Sequence, residues 1–95
     1  LSAVTSGVKD VRDVIEKAGY GKHFTHGIGH GIGIDIHEIP FFGNSDELVE
    51  VGMTITDEPG IYLDNKYGVR IEDDLVVTEN GCEVLTLAPK ELIVL

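Results

Sequence analysis

The chain has 95 residues, 42% of them hydrophobic and 25% charged, which suits one small domain and excludes a two-domain arrangement. Its 17 acidic residues against 7 basic ones give a net charge of −10, so a phosphate backbone is repelled and nucleic acid is not an expected partner. Cys82 is the sole cysteine, which rules out an internal disulfide and a cysteine-based zinc site, and no apolar run approaches the roughly 20 residues of a membrane span. The expected location is therefore the cytoplasm, with no membrane partner. Leu1 is not an initiator residue, so the start of the gene product is expected to be processed or missing.

Val4, Val8, Val11, Ile15 and Ala18 recur at steps of 3 and 4, the period of one helical face, and predict an amphipathic helix over these residues. Thr5 or Ser6 is the expected cap, and Gly19 to Gly21 the stop. From His26 the chain reads His-Gly-Ile-Gly-His-Gly-Ile-Gly-Ile-Asp-Ile-His-Glu-Ile-Pro. Each of its glycines would cost a helix about 1 kcal/mol relative to alanine, so extended, bulged backbone is expected instead. The glycine spacing is not that of a dinucleotide fingerprint, and no P-loop lysine follows.

Pro40 to Glu50 is rich in turn formers and predicts an exposed loop. Met53 to Tyr62 reads as strand then turn at Pro59-Gly60, and Tyr67 to Thr78 as a β-branched strand. Glu79-Asn80-Gly81 predicts a hairpin turn into Glu83 to Thr86. The pattern as a whole is α+β.

Four histidines, at 23, 26, 30 and 37, fall within fifteen positions. His26 and His30 would share one face of an extended strand, whereas His37 needs a bulge to rejoin them. Glu58 lies in an otherwise apolar segment, and Arg70 and Glu72 would share one strand face. A carboxylate facing the core requires an arginine partner, a proton or a bound cation. An Arg70–Glu72 surface pair and a metal site built from one imidazole and two carboxylates both satisfy that requirement. The donor types suit Mn²⁺, Co²⁺ or Zn²⁺.

At these residues the chain resembles the pita-bread metallopeptidases, and within them the Xaa-Pro dipeptidase (prolidase) and aminopeptidase P branch. The motifs that carry the resemblance are residues 26–38, Gly-Met-Thr-Ile-Thr-Asp-Glu-Pro-Gly-Ile-Tyr (52–62), Gly-Val-Arg-Ile-Glu-Asp (68–73) and Leu-Thr-x-x-Pro-Lys-Glu-Leu (85–92). It implies the C-terminal portion of the pita-bread fold, one helix followed by mostly antiparallel strands. It also implies a hydrolase of Xaa-Pro peptide bonds that uses two divalent metal ions to activate water.

On that resemblance His30, Glu58 and Glu72 are metal ligands, and Glu58 also carries a proton. His26 and His37 contact the substrate, and Arg70 orients Glu72 or a substrate carboxylate. Two further aspartate ligands of the family lie N-terminal to everything present here, so residues 1–95 are expected to be part of a longer catalytic domain and inactive alone. Exposed edges then predict association, and a homodimer is the expected state. Methionine aminopeptidases, creatinase-like hydrolases and non-catalytic relatives on the same fold are the alternatives.

Overall fold

The computed structural model describes residues 4–42 and 48–95, the side chains of residues 4–8 apart. Helix α1 spans Val4–Lys17. Thr5 and Ser6, expected as caps, lie inside it, because the helix begins at the first apolar residue of the periodic face. At its end Gly19 takes a φ of 92°, Gly19 N–H donates to Glu16 O at 2.9 Å, and Tyr20 N–H donates to Ile15 O at 3.1 Å. These two bonds satisfy carbonyls that the last helical turn leaves without partners, and glycine supplies the left-handed backbone they need. Ala18 falls beyond the helix and is exposed, while Ile15 is buried.

After a short 3-10 turn at Gly21–His23 come, among the described residues, seven strands: β1 Gly29–Gly31, β2 Glu38–Phe42, β3 Thr54–Asp57, β4 Gly60–Leu63, β5 Tyr67–Arg70, β6 Asp73–Thr78 and β7 Gly81–Val84. Five form one sheet in the order β2-β1-β3-β6-β7, while β4 and β5 form a separate two-stranded sheet. Every ladder is antiparallel. The architecture is thus α+β with one helix and mostly antiparallel strands, as the sequence implied.

Three local expectations need correction. The glycine-rich stretch is not one bulged strand: it folds back through residues 32–37, so that β1 and β2 pair with a register irregularity between His30 and Gly31. Pro40 does not open a loop but lies buried in β2, an edge strand, where a residue without an N–H is tolerated. The rest of the loop expectation, residues 43–47, lies outside the described residues. Finally, the segments 53–62 and 67–78 each break in two, at Glu58-Pro59 and at Ile71-Glu72, and pass from one sheet to the other. The β6–β7 hairpin turns at Glu79-Asn80 as expected, with Thr78 opposite Gly81.

Ile28, Phe42 and Ile55 form the buried centre, with Val11 of α1 and Leu75 and Val77 of β6 against it. Thr56, 2% exposed, accepts the His30 N–H on its hydroxyl at 3.0 Å and so ties β3 to β1. Gly29 is required here for space: a Cβ at this position would collide with the Thr56 carbonyl.

Candidate active site

His30 on β1 and Glu58 just after β3 are brought together by the β1–β3 pairing. His30 Nε2 lies 3.5 Å from Glu58 Oε2, with both side chains largely buried, at 12% and 17% exposure. His30 Nδ1 is 2.9 Å from the Gly31 carbonyl oxygen. A carbonyl can only accept, so Nδ1 holds the proton and Nε2 presents its lone pair towards Glu58. Two acceptors in that position are reconciled by a further proton or by a cation between them. The fold-back after β1 places the His37 ring 4.4 Å from that of His30, centroid to centroid. The return is made by the bends of residues 32–37 together with the register irregularity between His30 and Gly31.

Glu72 belongs to the same carboxylate group. Burial first, then the charge of Glu58 and a hydrogen bond with it, pushes the Glu72 carboxyl above its ordinary range; Asp74 adds to this and Arg70 opposes it. Paired carboxylates of this kind hold a proton between them unless a cation takes its place. The donor set of one neutral imidazole and two facing carboxylates therefore fits a divalent ion chemically. Among the described residues, however, no three His, Cys, Asp or Glu side chains are arranged so as to hold a metal ion by themselves.

His26 sits at the other end of the site. Its Nδ1 donates to the Gly27 carbonyl oxygen at 2.6 Å, which leaves Nε2 to accept from the Tyr62 hydroxyl at 2.9 Å. Tyr62, on β4, stands beside Arg70, on β5. That hydroxyl first, and Glu58 and Glu72 after it, hold the arginine above its ordinary pKa. Arg70 and Glu72 do not share a strand face, because β5 ends at Arg70 and Glu72 lies in the crossing to β6. Tyr62 was not singled out from the sequence, although it closes the Glu-Pro-Gly-Ile-Tyr motif. The approach to His26 is fixed from α1, where the Arg12 guanidinium stacks 4.7 Å from the Phe24 ring centre and donates to Phe24 O at 3.3 Å.

Two adjoining clefts share His30, Glu58 and Arg70. One, of about 470 Å³, is walled by His26, Phe41 and Phe42; the other, of about 600 Å³, by His37, Glu72 and residues 32–36. A concave site with convergent imidazoles, carboxylates and one guanidinium is suited to binding a polar substrate and moving protons on it.

The class of protein follows from comparison with known proteins. The family model described as metallopeptidase family M24 matches residues 7–79, and the chain belongs to that family. It is 49% identical over 83 residues to the Xaa-Pro dipeptidase of Pyrococcus furiosus, an alignment that covers 86% of this chain and 24% of that one. The solved structure of an Xaa-Pro dipeptidase from Bacillus anthracis superposes with a TM-score of 0.93 at 50% identity, over 99% of this chain and 27% of that one. A dipeptidase structure from Pyrococcus horikoshii gives a TM-score of 0.93 at 48% identity, over 98% and 26% of the two chains. The fold is that of part of a pita-bread enzyme, and the chain spans about a quarter of the length of these relatives.

Proposed function

We propose that residues 1–95 form the C-terminal part of the catalytic domain of a dinuclear metallopeptidase that cleaves peptides before proline. In this reading the parent works in the cytoplasm as a homodimer. The observation that carries it is the meeting of His30 Nε2 with the Glu58 carboxylate at 3.5 Å, the imidazole being held in the ligating tautomer by Gly31 O. Names of relatives at about half identity support the choice of Xaa-Pro substrates.

His30, Glu58 and Glu72 would hold two divalent ions, Mn²⁺, Co²⁺ or Zn²⁺, together with two aspartates from the preceding part of the domain. Bound there, the ions supply Lewis acidity for the scissile carbonyl and lower the pKa of the attacking water. Glu58, which lines both clefts, takes the proton from the attacking water and passes it to the departing imino nitrogen. His37, stacked by His30, donates to the oxygen that gains charge. His26, its ring nitrogens held by Gly27 O and the Tyr62 hydroxyl, contacts the substrate through its ring. Arg70 supplies positive charge beside Tyr62 and the carboxylates.

Calorimetric titration of this chain and of the parent with Mn²⁺ and Zn²⁺ tests the ligand assignment. Binding by the parent is expected to be lost in His30→Ala and Glu72→Ala. Chelated parent should regain Xaa-Pro cleavage on addition of Mn²⁺ or Co²⁺, whereas residues 1–95 alone should show none. Failure of any metal to restore cleavage in the parent overturns the reading.

A further inference from the structure

The segment after β7 continues in the same direction alongside the start of β6. Leu85 N–H donates to Asp74 O at 2.8 Å, Asp74 N–H donates to the Thr86 hydroxyl at 2.9 Å, and Lys90 Nζ lies 3.1 Å from Asp73 Oδ1. These contacts fall on the two residues that immediately follow Glu72. Across the ladder, Asp73 pairs directly with Asp57, the residue that immediately precedes Glu58.

Two carboxylates directly opposite each other on neighbouring strands repel. Here Asp57 Oδ1 and Asp73 Oδ1 are both buried without a hydrogen-bond partner among the described residues. The Lys90 ammonium contacts Asp73 Oδ1 as a charge without directed hydrogen-bond geometry, with Asp73 at 18% exposure and Lys90 at 48%. Without a cation at this point, the ends of β3 and β6 would carry an uncompensated pair of negative charges. The cheapest relief would be to splay the two strand ends, and those ends carry Glu58 and Glu72.

Resting on the assignment of Glu58 and Glu72 as metal ligands, we infer that Lys90 is a positioning residue, delivered by the Leu85–Lys90 strap to offset the Asp57–Asp73 repulsion and hold the two ligand carboxylates at their working separation. It acts through Asp73 and not by contact with substrate. Residues that orient metal ligands from behind typically change affinity or activity by about 10–100-fold when removed.

The test uses the parent protein and Mn²⁺ as the probe. Lys90→Ala is expected to weaken Mn²⁺ binding by calorimetry about tenfold and to lower kcat with KM for peptide unchanged, while Lys90→Arg retains the native affinity. Adding Asp73→Asn to Lys90→Ala removes the repulsion itself and should recover affinity, an outcome read without reference to turnover and open even where the single variant folds poorly. Unchanged Mn²⁺ affinity in Lys90→Ala overturns the inference, even if the thermal midpoint of the metal-free protein falls, because a merely structural strap gives that result. Equal losses in the alanine and arginine variants also overturn it. A native parent that takes up none of Mn²⁺, Co²⁺ and Zn²⁺ overturns the metallopeptidase reading together with this inference, so the two failures are distinguishable.

Discussion

The position of one proton decides what His30 can do. Gly31 O fixes it on Nδ1, and the free Nε2 then faces Glu58. The clustering of His26, His30 and His37 among glycines was legible in the sequence, and so was the isolation of Glu58. Tautomers and partners were not, because they depend on which carbonyl or hydroxyl the fold brings within reach: Tyr62, 36 positions from His26, is its partner.

Asp57 is a second case that depends on the fold. Burial first, and Asp73 second, push its carboxyl above the ordinary range. An acid whose folded-state pKa is raised favours the fold most at low pH, and that contribution is lost as pH rises through the folded-state value. Asp57→Asn should therefore raise the thermal midpoint of this chain at pH 7, with the gain shrinking as pH falls through the raised folded-state value and gone below the ordinary aspartate value of about 3.9. Thermal melts of both proteins across that range check it; a gain independent of pH would contradict the assignment.

At the level of elements, local signals were read well and long-range ones poorly. The 3.6-residue period gave α1 with its glycine stop, and Asn80-Gly81 gave the β6–β7 hairpin. The division of the strands between two sheets was hidden, because the breaks at Pro59-Gly60 and Glu72-Asp73-Asp74 mark where a strand ends without saying which sheet the next one joins. Only pairing reveals that Gly60–Leu63 leaves its neighbours to join Tyr67–Arg70.

The β1–β3 contact is the element on which the site depends most, and its closeness rests on Gly29. Gly29→Ala should destabilise the chain by about 2 kcal/mol, within the usual range for overpacking against an immovable neighbour. Gly81 has open space where its Cβ would be, so Gly81→Ala should stay within about 0.5 kcal/mol of the native protein. Urea unfolding of the two variants measures the difference, and similar stabilities would refute the packing argument.

Taken whole, the molecule exposes more surface than its mass requires. Its 6965 Å² compares with the roughly 5,400 Å² expected of a folded 10.3 kDa protein. Its radius of gyration is 14.0 Å, where about 12 Å is usual for this length. Apolar residues supply much of the excess: Ile34, Ile36 and Ile39 near the site and Leu92 to Leu95 at the end are largely or fully exposed. In addition, Val11, Val14 and Ile15 of α1 form an apolar groove with Ile61 and Val69 of the β4–β5 hairpin and Ile71 just after it. A two-stranded sheet is marginal by itself, so this groove is a place where further packing stabilises the fold. The isolated chain should accordingly associate, and light scattering should show a mass above 10.3 kDa that grows with concentration. A clean monomer at high concentration would contradict this. Composition and net charge showed none of it, since they count apolar residues without saying which remain uncovered.

The site's residues are also far apart in the order of synthesis. A ribosome completes His26, His30 and His37 first, and Glu72 follows His30 by about forty residues, a delay of several seconds at the usual 5–20 residues per second. During that interval the clustered imidazoles are joined by Glu58 alone of the two partner carboxylates, and Lys90 arrives later still. Translation thus withholds a complete ligand set from any passing ion until the strands that shape it are nearly all made.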